Sequence, residues 1–180
     1  MAFGIPIASV EVTSANQLAT LNLANISQEY TDLYIIANFK TTATADWFTF
    51  IVNYDGSNTY ERNGWYKGNA TTPIGMSNAS VPRIYGERIA DGSTDHNANE
   101  FSTVIIEIPN YSNTSMYKQL YFRGGKVGTN PASSTGFIWN ATGLYASTNG
   151  ISNIQIICDG ASPISIGSTI DIYGTKRLGL

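Results

Sequence analysis

Charge is what this chain most lacks. Acidic and basic residues together make up 13% of 180 positions, about half the ordinary share. The thirteen acids and ten bases leave a net charge of −3, with no cluster of Lys or Arg; the nearest thing is Lys176-Arg177. Nucleic acid binding needs a basic surface that displaces counterions, so that partner is excluded. Cys158 is the single cysteine, which rules out an internal disulfide. It sits in "IQIICDG", a strand pattern, and reads as a small buried hydrophobe rather than a nucleophile. No apolar run reaches the roughly 18 residues of a membrane-spanning helix. "MAFGIPIASVEV" has no basic region ahead of its apolar residues and does not read as a signal peptide. Lys and Glu are scarce, so long amphipathic helices are not expected.

In place of charge stand Ser, Thr, Asn, Gly and Tyr, residues of strands and turns. The dominant period is two. "LYIIANF" sets Leu33, Ile35, Ala37 and Phe39 on one face, and "WFTFIVNY" does so with Phe48, Phe50, Val52 and Tyr54. "STVIIEIP" is nearly continuous, as a strand buried on both sides would be. Further strands are expected over 5–13, 18–23, 59–67, 81–90, 116–123, 135–139, 151–158 and 169–174. Turn signals separate them: Asp55-Gly56, Asp91-Gly92, Gly124-Gly125, Asn149-Gly150 and Asp159-Gly160. About ten short strands without intervening helices predict an all-β, antiparallel, jelly-roll-like β-sandwich forming one domain over residues 1–180.

"NYDGSNTYERNGWYKGN" (53–69) reads as the turn and return strand of a hairpin. Tyr60, Arg62, Gly64 and Tyr66 share one face and Thr59, Glu61, Asn63 and Trp65 the other. Neither face is purely apolar, so the strand belongs at an edge or in a subunit contact, with Gly64 a candidate bulge. Asn53 is expected to bond amides of the "DGSN" turn. Tyr60, Arg62, Trp65 and Tyr66 are the candidate interface residues, because interfaces are rich in Tyr, Trp and Arg. Flat aromatic faces beside Asn and Asp also suit sugars, and a shelf of Trp65, Tyr66 and Trp139 could serve so.

Catalytic and metal chemistry find little here. His96 is the only histidine, it lies in a polar loop, and no Gly-x-Ser-x-Gly elbow exists. Asp91, Asp95, His96 and Glu100 are hard ligands in that loop, but their spacing does not match an EF-hand. Glycines are scattered, one or two to a turn, so no phosphate loop or other cofactor motif is present. Glu107 interrupts a strand; it reads either as a residue facing outward or, as the favoured expectation, as a buried acid paired with a base such as Lys118 or Arg123. Six Asn-x-Ser/Thr matches follow from composition alone.

Four marks resemble a family of small virion proteins of tailed bacteriophages. They are "ISQEYTDL" (26–33), "NYDGSNTY" (53–60), "IEIPNYSNTSMYK" (106–118) and a closing "IDIYG" (170–174). The segment "FIWNATGLYASTNGISNI" is longer than its counterpart in that family. The resemblance implies a non-enzymatic virus structural protein located in the virion. Its length suits a capsid decoration (cement) protein bound to the major capsid protein. The alternative is a tail-associated receptor-binding or fibre head module recognising a host surface glycan. Either implies a homo-oligomer, a trimer by analogy, with no membrane partner.

Overall fold

The computed structural model describes residues 4–14, 20–42, 47–57, 59–68, 72–88, 100–126, 136–159 and 163–176. These contain strands β1 (Ile5–Glu11), β2 (Thr20–Leu23), β3 (Asp32–Phe39), β4 (Trp47–Val52), β5 (Tyr60–Lys67) and β6 (Ile74–Val81). They continue with β7 (Ile84–Arg88), β8 (Ser102–Ile108), β9 (Lys118–Lys126), β10 (Phe137–Tyr145), β11 (Ile154–Asp159) and β12 (Thr169–Thr175). Among the described residues there is no helix. All strand pairs are antiparallel, in an eight-stranded sheet ordered β1-β12-β3-β8-β9-β10-β5-β6 and a four-stranded sheet ordered β2-β11-β4-β7. This is the all-β sandwich that the alternation predicts.

Alternation also explains the core. In β3 every second residue, Leu33, Ile35, Ala37 and Phe39, is buried, and so are Val104, Ile106 and Ile108 of β8. They meet Phe50 and Val52 of β4 and Ile154, Ile156 and Cys158 of β11 from the smaller sheet. Phe50 and Phe122 touch edge to face across the two sheets, with centroids 5.7 Å apart. Cys158 is fully buried, in keeping with a packing role.

The strand order has a further regularity. Leave out the adjacent pairs β5–β6 and β9–β10, and number the remaining eight strands along the chain. The large sheet then reads 1-8-3-6 and the small one 2-7-4-5. The four strands left out lie side by side and widen the large sheet beyond this frame.

Four expectations change. First, β4 and β5 are not a hairpin: β4 pairs with β11 and β7, whereas β5 pairs with β10 and β6. The chain crosses from one sheet to the other between them. Asn53 and Tyr54, at φ 52° and 55°, turn it out of the strand. Second, Asn53 does not bond its own turn: its Nδ2 donates to the Gly150 carbonyl at 2.9 Å and its Oδ1 accepts from the Ser152 amide at 2.8 Å. Third, Gly124-Gly125 lies inside β9, where a Cβ on Gly124 would stand 2.8 Å from the Trp139 indole. Glycine is required there so that Trp139 can pack against the strand backbone. Fourth, the β5–β6 register shifts between Tyr60 and Arg62, so the irregularity is not at Gly64.

The crossing is pinned by tyrosines. The Tyr60 hydroxyl accepts from the Val52 amide and donates to the Val52 carbonyl, both at 3.0 Å. Its ring stacks on Tyr145 at 5.1 Å, and the Tyr145 hydroxyl donates to Asp55 Oδ2 at 3.1 Å. Burial pushes the Tyr60 hydroxyl pKa up. Tyr60→Phe strands the Val52 amide, while the Val52 carbonyl keeps the Asp55 amide at 3.0 Å, and is expected to cost about 1–2 kcal/mol in urea unfolding. Asp55 is held below the usual carboxylate range, chiefly by the Ser57 hydroxyl. A lowered folded pKa contributes stability that is present above the unfolded value and lost as pH falls through the folded one. Thermal melts should therefore show an acid-side decline that Asp55→Asn makes shallower.

Candidate functional site

In an antiparallel sheet, directly opposed residues share a face. The pairings Ile36–Ile105–Arg123–Asn140–Trp65–Gly75 form one such row across the large sheet. Beside it runs Tyr173–Tyr34–Glu107–Tyr121–Thr142–Asn63–Ser77. Both rows point away from the core, because the alternate residues Ile35, Ile106, Phe122 and Ala141 are buried. The expectation that β8 is buried on both sides is therefore corrected: Thr103 is exposed, and Ile105 and Glu107 are half-buried on this outer face.

At the centre, Arg123 Nη2 donates to Glu107 Oε1 at 2.7 Å and to the Tyr34 hydroxyl at 3.1 Å. Of the two bases expected to pair with Glu107, Arg123 is thus the one found. Lys118 is buried instead, and its Nζ donates to the carbonyls of Met116 at 2.7 Å and Thr148 at 3.1 Å. Burial lowers the Lys118 pKa. The Arg123–Glu107 pair is half exposed and adds little stability. Its main effect is to leave this part of the face without net charge.

An open depression of about 590 Å³ lies over these rows, with Trp65 on one side and Tyr121 and Arg123 on the other. Asn63, Asn140 and Thr142 contribute polar groups between them. Trp65 is 39% exposed and Tyr121 42%, and Ile138 adds an apolar side chain further along β10.

The four expected interface residues separate. Only Trp65 presents its ring to solvent. Tyr66 is half-buried on the inward side, stacked on Phe137 at 5.8 Å. Tyr60 and Arg62 are interior, so neither can make an outside contact. Arg62 Nη1 donates to the Tyr85 and Gly86 carbonyls, the latter at 3.0 Å, and Nη2 donates to Asn78 Oδ1 at 2.7 Å. It ties β7 of the small sheet to β5 and β6 of the large one. Trp139 is buried as well and belongs to no shelf. The strand also lies one place in from the edge, which β6 occupies.

Tyr121, Arg123 and Tyr34 were not singled out as contact residues, although "KQLYFRG" alternates Gln119, Tyr121 and Arg123 against Leu120 and Phe122. That alternation was the available signal.

Asp91, Asp95 and His96 lie outside the described residues, as does most of the 129–136 loop. Among the described residues, no group of three or more His, Cys, Asp or Glu could hold a metal. Asp32 and Glu107 line one depression beside Pro109. Both are engaged, Asp32 Oδ1 by the Asn110 amide at 2.8 Å and Glu107 by Arg123.

Compared with protein-family models, curated proteins and solved structures, the chain matches none.

Proposed function

We propose that this chain is a non-enzymatic structural protein of a bacteriophage virion, a capsid decoration protein. It seats the outer face of its eight-stranded sheet on the major capsid protein. The carrying observation is that face itself: a broad antiparallel surface with Trp65, Tyr121 and Ile138 exposed and its central ion pair internally neutralised. Exposed apolar area rimmed by polar groups marks a protein contact. The 1-8-3-6 and 2-7-4-5 orders are those of two interlocked Greek keys, so we read the frame as a jelly roll, an architecture used by viral capsid and lectin domains. The engagement of Asp32 and Glu107 by protein groups supports a role without catalysis. Purified protein added to particles that lack it is expected to bind their heads and resist washing. Failure to bind would overturn this reading.

The depression between Trp65 and Tyr121 favours a second reading, a tail-associated receptor-binding module for a host surface glycan. An indole face beside amide and hydroxyl groups can stack on a sugar ring and bond its hydroxyls. Competition of host-cell binding by soluble host glycans supports this reading, and indifference to them rejects it.

A further inference from the structure

The large sheet ends on β6, "IGMSNASV", an eight-residue strand with no charged residue and no proline. Sheet edges offer unpaired N–H and C=O groups and are ordinarily guarded by charge, proline, bulges or shortness. The other three ends are guarded. β1 carries Pro6, Glu11 and a register shift between Pro6 and Ala8. β2 has only four residues. β7 contains Glu87 and Arg88, and its pairing with β4 shifts register. β6 has a register shift as well, between Tyr60 and Arg62 where Ser80 turns to φ 52°, but from Ile74 to Asn78, opposite Tyr66 to Arg62, it is regular, uncharged and free of proline.

We infer that β6 is a self-association edge, pairing antiparallel with β6 of a second copy about a two-fold axis at Met76. In that register Met76 opposes itself, Gly75 opposes Ser77 and Ile74 opposes Asn78. An uncharged strand meets its own copy without like charges facing each other, as a symmetric contact requires. No described residue lies within 4 Å of a Cβ built on Gly75, so the outer face at this position has room for a larger side chain. Ile74, 44% exposed at the end of this strand, comes diagonal to the partner's Met76 and gains cover. The two large sheets become one, and the rows containing Trp65 continue into the second copy. The contact thus specifies the homo-oligomer and does not depend on what the outer face binds.

Sedimentation of the full chain in solution tests this without particles. Wild type is expected to show a concentration-dependent dimer. Gly75→Lys with Ser77→Lys sets introduced lysines opposite each other twice across the axis and should give a monomer with an unchanged circular dichroism spectrum. Gly75→Lys with Ser77→Glu sets opposite charges there and should restore the dimer. Amide exchange supplies a measurement that needs no variant. Outward amides between Ile74 and Asn78 should slow about tenfold or more as protein concentration rises. A wild type that stays monomeric overturns the inference. So does a dimer or trimer indifferent to the paired lysines, or β6 amides that exchange freely at every concentration.

Discussion

Trp65→Ala combined with Tyr121→Ala is expected to weaken attachment to virions by about a thousandfold while leaving thermal stability within a degree or two of wild type. Aromatic anchors at the centre of a contact cost about 2 kcal/mol or more each when truncated, and about 4 kcal/mol together corresponds to that factor. Both rings stand on the outer face, 39% and 42% exposed, so their removal opens no interior cavity. The Tyr121 hydroxyl donates only to Gln119, at 2.9 Å on the same exposed face. Cosedimentation with particles, paired with a thermal melt, separates the two effects. Wild-type binding by the double variant would remove the outer face from the account.

Arg62→Ala is expected to do the reverse, lowering stability by about 3 kcal/mol and the melting temperature by roughly 10 °C. The guanidinium is buried and donates from Nη1 to the Tyr85 and Gly86 carbonyls and from Nη2 to Asn78 Oδ1. Removing it leaves those acceptors unpaired at the point where β7 of the small sheet meets β5 and β6. Arg62→Met retains most of the stem volume yet loses the same bonds, so it should recover only part of the loss. Were Arg62 an exposed contact residue, alanine would weaken binding and leave the melt unchanged. Urea and thermal unfolding of both variants decide between these outcomes.

The contrast between Trp65 and Arg62 shows what was legible in the sequence. Period two correctly divided β5 into Tyr60, Arg62, Gly64 and Tyr66 against Glu61, Asn63 and Trp65. It could not say which set faced inward, because Arg62 looks like a surface residue until its carbonyl partners are known. The same period gave β3, β4 and β12 nearly to the residue, and the burial of Cys158 followed from it; the bounds of β8 were legible from its apolar run, but its alternation was not. Partner choice was not legible. "DGSN" carries the chemistry of a hairpin turn, but the bonds that send the chain into the other sheet come from Gly150 and Ser152, about a hundred positions away. β6 was missed below Val81 because an edge strand needs little apolar content, and here only Met76 is buried. Gly124 read as a turn because its reason, the Trp139 indole, lies on another strand. For Glu107 the sequence offered Lys118 and Arg123 alike, and only the pairing of β8 with β9, which sets Arg123 beside it on the outer face, decides between them.

The most direct test of the account is to locate this protein on intact phage particles with gold-labelled antibody and electron microscopy. Label spread over the heads is the predicted result, with the Trp65→Ala, Tyr121→Ala variant leaving them bare. Label confined to tails would contradict capsid decoration and favour the glycan-binding reading. Particles without label would contradict the virion assignment altogether.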